Sequence, residues 1–308
     1  MAAYILGRLA QSVLILVGVT LVAFFLLFVI PADPAQMMAG RGYGSQEVIA
    51  SIREQLGLDQ PFYQQYLRYL GNLLQGDLGR SYLQKSEVSA LIAARLPATL
   101  LLIAGSIFFE ILIGVTMGLL AALWRGTRVD QGLMVASFIF ASTPQFVMGI
   151  LLLYFFAVHL DWLPMGGYGT LAHLVLPALT LGILGAGWYS RVMRSSMIDV
   201  LQQDYMRTAR AKGLRRPTVV GVHAVPNAIL PIIGLIGSDF GYFVSQTVVV
   251  ESVFGWPGIG QLAWQAIQRV DIPIIMGVTV VTACVVVVGN FLADLIAPLI
   301  DPRIKMHR

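Results

Sequence analysis

Apolar residues run along this chain in stretches of about 20, the length a helix rising 1.5 Å per residue needs to cross about 30 Å of hydrocarbon. The stretches lie from Leu9 to Ile30, Leu96 to Leu123, Leu133 to Val158, Leu174 to Met193, Ile229 to Val250 and Ile274 to Leu295. None shows the roughly ten-residue alternation of a barrel strand, and backbone groups in lipid need partners within their own segment, so each run is predicted to be a helix. The first follows Arg8 and exceeds the ~7–15-residue apolar core of a cleavable leader. It is read as a retained span closed by Pro31-Ala32-Asp33-Pro34. The predicted fold is an all-α integral membrane bundle of six helices.

Three more polar stretches punctuate this pattern. Residues 31–95 include Phe62, Tyr66, Leu70 and Leu73 at helical spacing, which predicts short helices lying against the membrane, either as a surface cap or as a docking site. In residues 195–228, Leu201, Tyr205, Thr208 or Ala209, and Lys212 fall on one helical face. Gly213 suits the C-cap, and Arg207, Arg210 and Lys212 stand near the negative end of the dipole. Pro217 suits the first turn of a second short helix through Val219, Val220 and Val222 toward Pro226. By pattern alone this hairpin either just joins two spans or carries a function. Residues 251–273 begin Glu251-Ser252-Val253-Phe254-Gly255-Trp256-Pro257-Gly258-Ile259-Gly260. Such a segment predicts a gate that folds back into the bundle or an interfacial turn with a tryptophan at the membrane boundary.

Charge sets the orientation. Only 12% of the 308 residues are charged, and the basic ones are sorted by side. With the N-terminus in the cytosol, the inner segments hold Arg8, Arg125, Arg128, Arg191, Arg194, the cluster from Arg207 to Arg216, and the three basic residues after Asp301. The rest, such as Arg41, Arg95 and Arg269, fall outside, mostly in a long segment where the positive-inside rule is weak. Both termini are therefore predicted to be cytosolic. The organisation that follows is an N-terminal span 1–30, an external segment 31–95, a five-helix domain 96–300 carrying the cytosolic hairpin 195–228 and the external segment 251–273, and a cytosolic tail 301–308. Because the net charge of +4 arises from this sorting, it does not point to a nucleic-acid partner.

The chemistry is sparse. The single cysteine, Cys284, excludes an intrachain disulfide or a CxxC pair. There is no GxxxxGK[ST] phosphate loop, HExxH or GxSxG, so neither nucleotide hydrolysis nor an enzyme active site is expected of this chain. Glu110, Asp239 and Asp294 lie within or at the ends of spans. An intramembrane carboxylate needs a partner, a pore or another polar group. Glu110 and Asp239, nearer mid-membrane, are candidates for pore lining, subunit packing or a proton relay, and Asp294 for a structural or interfacial role. The pairs Gly114 with Gly118 and Gly237 with Gly241 allow helices to approach closely.

The hairpin residues Arg207, Thr208 and Ala209, then Gly213 and Pro226, resemble the EAA-type loop of ABC importer permeases. Tyr205 to Leu214 is similar throughout to the form found in the dipeptide and oligopeptide branch, in which arginine takes the place of the usual glutamate. Further likeness to the first of the two peptide permeases lies in Tyr4 to Leu9, Pro31 to Ala35, Leu56 to Pro61, Gly76 to Gly79, Arg95 to Thr99, Val250 to Gly258 and Asp301 to Arg303. The resemblance implies the six-helix type I permease fold in a bacterial inner membrane. It implies a heterodimer with a second, homologous permease, two cytosolic ATPases holding ATP and Mg, and an external substrate-binding protein, with no cofactor on this chain. The expected ATPase-coupling residues are Asp204, Tyr205, Arg207, Thr208, Ala209, Lys212, Gly213 and Leu214. The expected path and gate residues are Glu110, Asp239, Ser245, Gln246, Glu251, Phe254, Trp256 and Pro257; Gln246 stands where the family usually has a small residue. Relatives that carry haem, nickel chelates or glutathione are the alternative, and an ion-coupled secondary transporter is a further one.

Overall fold

Backbone that cannot reach water satisfies its own polar groups, and the apolar runs are helices in the computed structural model. The structure describes residues 2–29, 35–36 and 46–300. Helix α1, Ala2–Phe24, continues as a π-helical turn, Phe25–Val29; α2 is Gln46–Leu56 and α3 is Phe62–Leu74. The short strands β1, Arg80–Ser81, and β2, Ser86–Glu87, pair antiparallel with Arg80 opposite Glu87. Then come α4, Val88–Leu123, α5, Arg128–Ser142, and α6, Gln145–Leu152, which runs on as a π-helix over Leu153–His159. Helix α7 is Leu171–Leu201 and α8 is Asp204–Ala211, followed by a helical run over 216–228 whose middle, Val219–Ala224, is π-helical. The last three are α9, Leu230–Phe254, α10, Ile259–Arg269, and α11, Ile272–Ile300.

Among the described residues, Ile5–Phe28, Val88–Leu123, Leu171–Leu201 and Ile272–Phe291 are helical segments long and apolar enough to cross a membrane. The count rises to six if each of two bent pairs is one span: Arg128–Ser142 with Gln145–His159, bent by 112°, and Arg216–Ala228 with Leu230–Ile236, bent by 41°. The run from Leu133 to Val158 is thus not one straight helix. Pro144 has no N–H to donate and its ring disfavours helical backbone in the preceding residue. Thr143 accordingly sits at φ −77°, ψ 128°, and the chain turns there.

The chain divides into two compact units, Met1–Thr99 with Pro257–Val288 and Leu100–Trp256 with Gly289–Arg308. In the first, Val88 and Ile92 pack with Ile259, Leu262 and Ala266 of α10 and with Ile274 and Val278 of α11. Within residues 251–273 non-helical backbone is confined to Gly255–Gly258 and to Val270 and Asp271; Ile259–Arg269 is helix, with Ile259, Leu262 and Ala266 forming its buried stripe. The Thr99 hydroxyl accepts the Ile259 amide at 2.8 Å, capping α10 from α4. A second cluster sets Phe24 of α1 against Ile52 of α2 and Met276 of α11. Tyr66 of α3, from the helical pattern noted above, lies 2.9 Å from the Thr20 hydroxyl.

In the second unit, close approach of helices decides the packing. A Cβ added at Gly114 would lie 2.5 Å from the Tyr189 Cβ, and one at Gly118 would lie 2.6 Å from the Met193 Cβ and collide with the Ser190 carbonyl. Helices α4 and α7 therefore touch backbone to side chain with no room for a methyl group. Asp130 of α5 accepts two hydrogen bonds of 2.7 Å from Arg194 of α7, a bidentate pair. Residues 31–34 and 301–308, the surroundings of Gly237 and the side chain of Asp294 lie outside what is described.

Candidate functional site

Two places in the unit Leu100–Trp256 gather the candidate residues. The first is α8. Helix α7 ends at Leu201, the chain turns at Gln202 and Gln203, and α8 starts afresh at Asp204. Leu201 therefore does not share a face with Tyr205 and Lys212, as continuous helical spacing had suggested. The inward residues are Met206, fully buried, and Ala209, 8% exposed. They pack into a cluster with Met193, Met197, Val219, Ala224 and Ala228. The reason is chemical: Met206 is the only long unbranched apolar side chain in the helix, and it fills the space between α7 and the run that follows.

Seating the helix by that face leaves Asp204, Tyr205, Arg207, Thr208, Arg210 and Lys212 exposed. Asp204 stands in the first turn, at the positive end of the dipole, and pairs with Arg207 at 3.6 Å, a contact exposed on both sides. Arg210 donates to the Leu201 carbonyl at 3.3 Å, closing the end of α7. Gly213, at φ +76°, donates to the Arg210 carbonyl at 3.0 Å, the left-handed stop that glycine adopts without a Cβ clash. Leu214 is 39% exposed beside it. Of the expected coupling residues, Ala209 anchors the helix and the others form or flank its outer face.

The second place is a cavity of about 670 Å³ walled by α4, the break between α5 and α6, α7 and α9. Glu110, Asp239 and Gln246 line it, together with Gln145, Trp188, Arg191 and Tyr242. Asp239, Tyr242, Gln246 and Val249 recur along one face of α9, and Leu184, Gly185, Trp188 and Arg191 along one face of α7. The Tyr189 phenol, itself fully buried, donates to Asp239. Gln145 donates to the Gln246 side-chain oxygen at 2.8 Å. Glu110 is 2% exposed; its Oε2 and the Gln145 Oε1 are buried without a hydrogen-bond partner. Arg191 lies over the rings of Phe138 and Trp188, 5.1 and 5.4 Å from their centroids.

The remaining path candidates fall elsewhere. Ser245 is exposed on α9 and donates to the Tyr242 carbonyl at 2.7 Å. Glu251, Phe254 and Trp256 are buried at the end of α9, where Gly255 at φ +61° turns the chain. The Gly167 amide donates to the Phe254 carbonyl at 2.9 Å, and Tyr168 meets Trp256 edge-on at 4.9 Å. Trp256 is a buried corner post of this unit. Pro257 begins the stretch that belongs to the other unit. Sequence reasoning missed Gln145 and the inward aim of Arg191. Thr143-Pro144 inside an apolar run was the signal for the first; nothing local marks the second.

Known proteins resemble this chain over most of its length. Residues 114–306 match the family described as binding-protein-dependent transport system inner membrane component, and residues 1–103 match the N-terminal model of such membrane components. An oligopeptide transport system permease protein of Bacillus subtilis is 41% identical over 99% of this chain and 100% of its own length. A glutathione transport system permease protein of Salmonella paratyphi A is 39% identical over 98% of each. Among solved structures, the MetNI methionine ABC transporter in inward-facing conformations covers 68% of this chain and 96% of its own, with a TM-score of 0.59 at 18% identity, a likeness of fold. This multi-pass chain belongs to the family of binding-protein-dependent transport system inner membrane components.

Proposed function

We propose that this chain is one permease of an ATP-driven importer of short peptides, in which α8 receives the motion of a partner ATPase and the cavity forms half of the path for the cargo. The observation that carries the reading is the two-sided character of α8. Met206 and Ala209 lock it into the core while Tyr205, Arg207, Thr208 and Lys212 face outward. A rigid projection of this kind transmits a push to α7 and the following run, and so can rock helices around a cavity. The chain then requires ATP and Mg on two partner ATPases, an external binding protein, and a second permease to complete the path as a heterodimer. Both termini lie in the cytosol, on the side of α8, and residues 31–95 and the corner around Trp256 lie toward the outside.

Likeness to an oligopeptide permease that extends over nearly the whole chain, with a glutathione permease at similar identity, supports short peptides as the cargo class. The experiment is reconstitution of the whole complex in liposomes. Uptake of a short peptide that depends on both ATP and the binding protein supports the reading. Uptake by this chain alone under a proton gradient contradicts it.

A further inference from the structure

We infer that the cavity walled by α4, the α5–α6 break, α7 and α9 reads the two charged ends of a short peptide, Glu110 taking the ammonium group and Arg191 the carboxylate. The inference rests on the peptide-permease reading and goes beyond it in assigning the recognising groups. A volume of about 670 Å³ lies within the usual range of small-ligand sites. Its wall holds two carboxylates, Glu110 and Asp239, and one cation, Arg191.

The acceptors at one end lack donors. Glu110 Oε2 and Gln145 Oε1 are buried and unpartnered, and a buried polar atom without a partner is costly unless a ligand satisfies it. An alkylammonium group brings three N–H donors and no acceptor, the complement of this set. Position 185 is built around the Glu110 carboxylate: any Cβ there would collide with Oε1, so glycine admits the acid to the wall. Asp239 is steadied by the Tyr189 phenol and adds a second negative group to the same lobe.

The cation has the opposite shortage. Arg191 donates from Nη1 to the Ser137 carbonyl and hydroxyl, both at 3.4 Å, and no carboxylate lies within ion-pair distance of it among the described residues. Its guanidinium has five donors, enough to hold a carboxylate while keeping those contacts. Gly185 and Arg191 are six positions apart on α7, about 9 Å along the axis, and the arginine leans back over Trp188 toward the Glu110 end. An extended di- or tripeptide spans at most about 7–11 Å. The rise between the two positions is of the same order as the length of such a molecule, and the cavity holds both charges on its wall.

The test compares tri-alanine with its N-acetylated and C-amidated forms in the reconstituted complex, with binding protein and ATPases unchanged. Any preference of the binding protein is common to parent and variant and cancels in their ratio. Glu110→Gln is expected to lower uptake of free tri-alanine about tenfold or more, the scale of a lost charge-assisted bond, and to change uptake of the acetylated peptide less than about twofold. Arg191→Gln is expected to spare the amidated peptide in the same way, and Arg191→Lys to restore part of the lost uptake. Equal losses for free and capped peptides, or no loss, overturn the inference while leaving the permease reading intact. A parent complex that carries no peptide overturns both.

Discussion

The outer face of α8 and the cavity wall are both polar, yet they are built in opposite ways. On α8 the charged groups point into solvent and the helix is held from behind by Met206 and Ala209. Nothing on that face is left wanting, and its charges can be covered by a partner without changing the fold. In the cavity, polar atoms of Glu110 and Gln145 are buried and unsatisfied, and carboxylates outnumber the cation. A surface made to be pushed can be solvated and rigid. A surface made to hold and release cargo keeps unmet hydrogen-bonding capacity, at a cost in stability.

The contrast breaks most severely at the seat of α8. Met206→Ala empties a fully buried site and should cost about 2–5 kcal/mol. We expect α8 to detach, copurification of the ATPases to fail, and proteolysis between Leu201 and Arg215 to rise, with peptide-terminus preference irrelevant because uptake is lost. Gly185→Ala attacks the other side. A methyl group displaces the Glu110 carboxylate from its place on the wall. Uptake should fall while the ATPases still copurify.

Arg207→Glu sharpens the comparison because it leaves both cores untouched. Its pair with Asp204 is exposed and contributes little to stability. Thermal unfolding should therefore be unchanged while ATP-driven uptake drops severalfold. Asp271 supplies the smallest effect. It is buried outside the spans, and burial raises its carboxyl above the usual range, opposed by the Ser81 hydroxyl at 2.5 Å, the Ile274 amide and Arg269. A raised folded-state pKa favours the protonated form. The resulting stabilisation is full below the unfolded value of 3.8 and is lost as pH rises through the higher folded value. Asp271→Asn should flatten this dependence in melting curves taken with rising pH.

The helices were legible because lipid leaves one solution to a long apolar run, and the hairpin because Gly213 and the basic residues mark a helix end. Other features lay beyond local pattern. Apolar continuity from Leu133 to Val158 concealed the turn at Thr143-Pro144, although proline carries a physical signal of its own. Glycines and a proline around Trp256 suggested irregular backbone, and masked the stripe of Ile259, Leu262 and Ala266 that makes α10 a helix. Arg191 looked like a membrane-edge charge, yet α7 continues to Leu201, ten residues or about 15 Å further. Tyr189 and Asp239 are 50 positions apart, and only tertiary structure joins them. The same holds for the unpaired oxygen of Glu110, since satisfaction depends on neighbours that periodicity does not name.

The central claim is that force reaches the membrane helices through α8. Because Cys284 is the only cysteine, a chain carrying Cys284→Ala and Lys212→Cys has one reactive thiol at the end of that helix. An impermeant thiol reagent should modify it in inside-out vesicles stripped of ATPases, and the bound ATPases should protect it. Modification from the outer face of intact cells, or equal modification with and without the ATPases, would contradict the account.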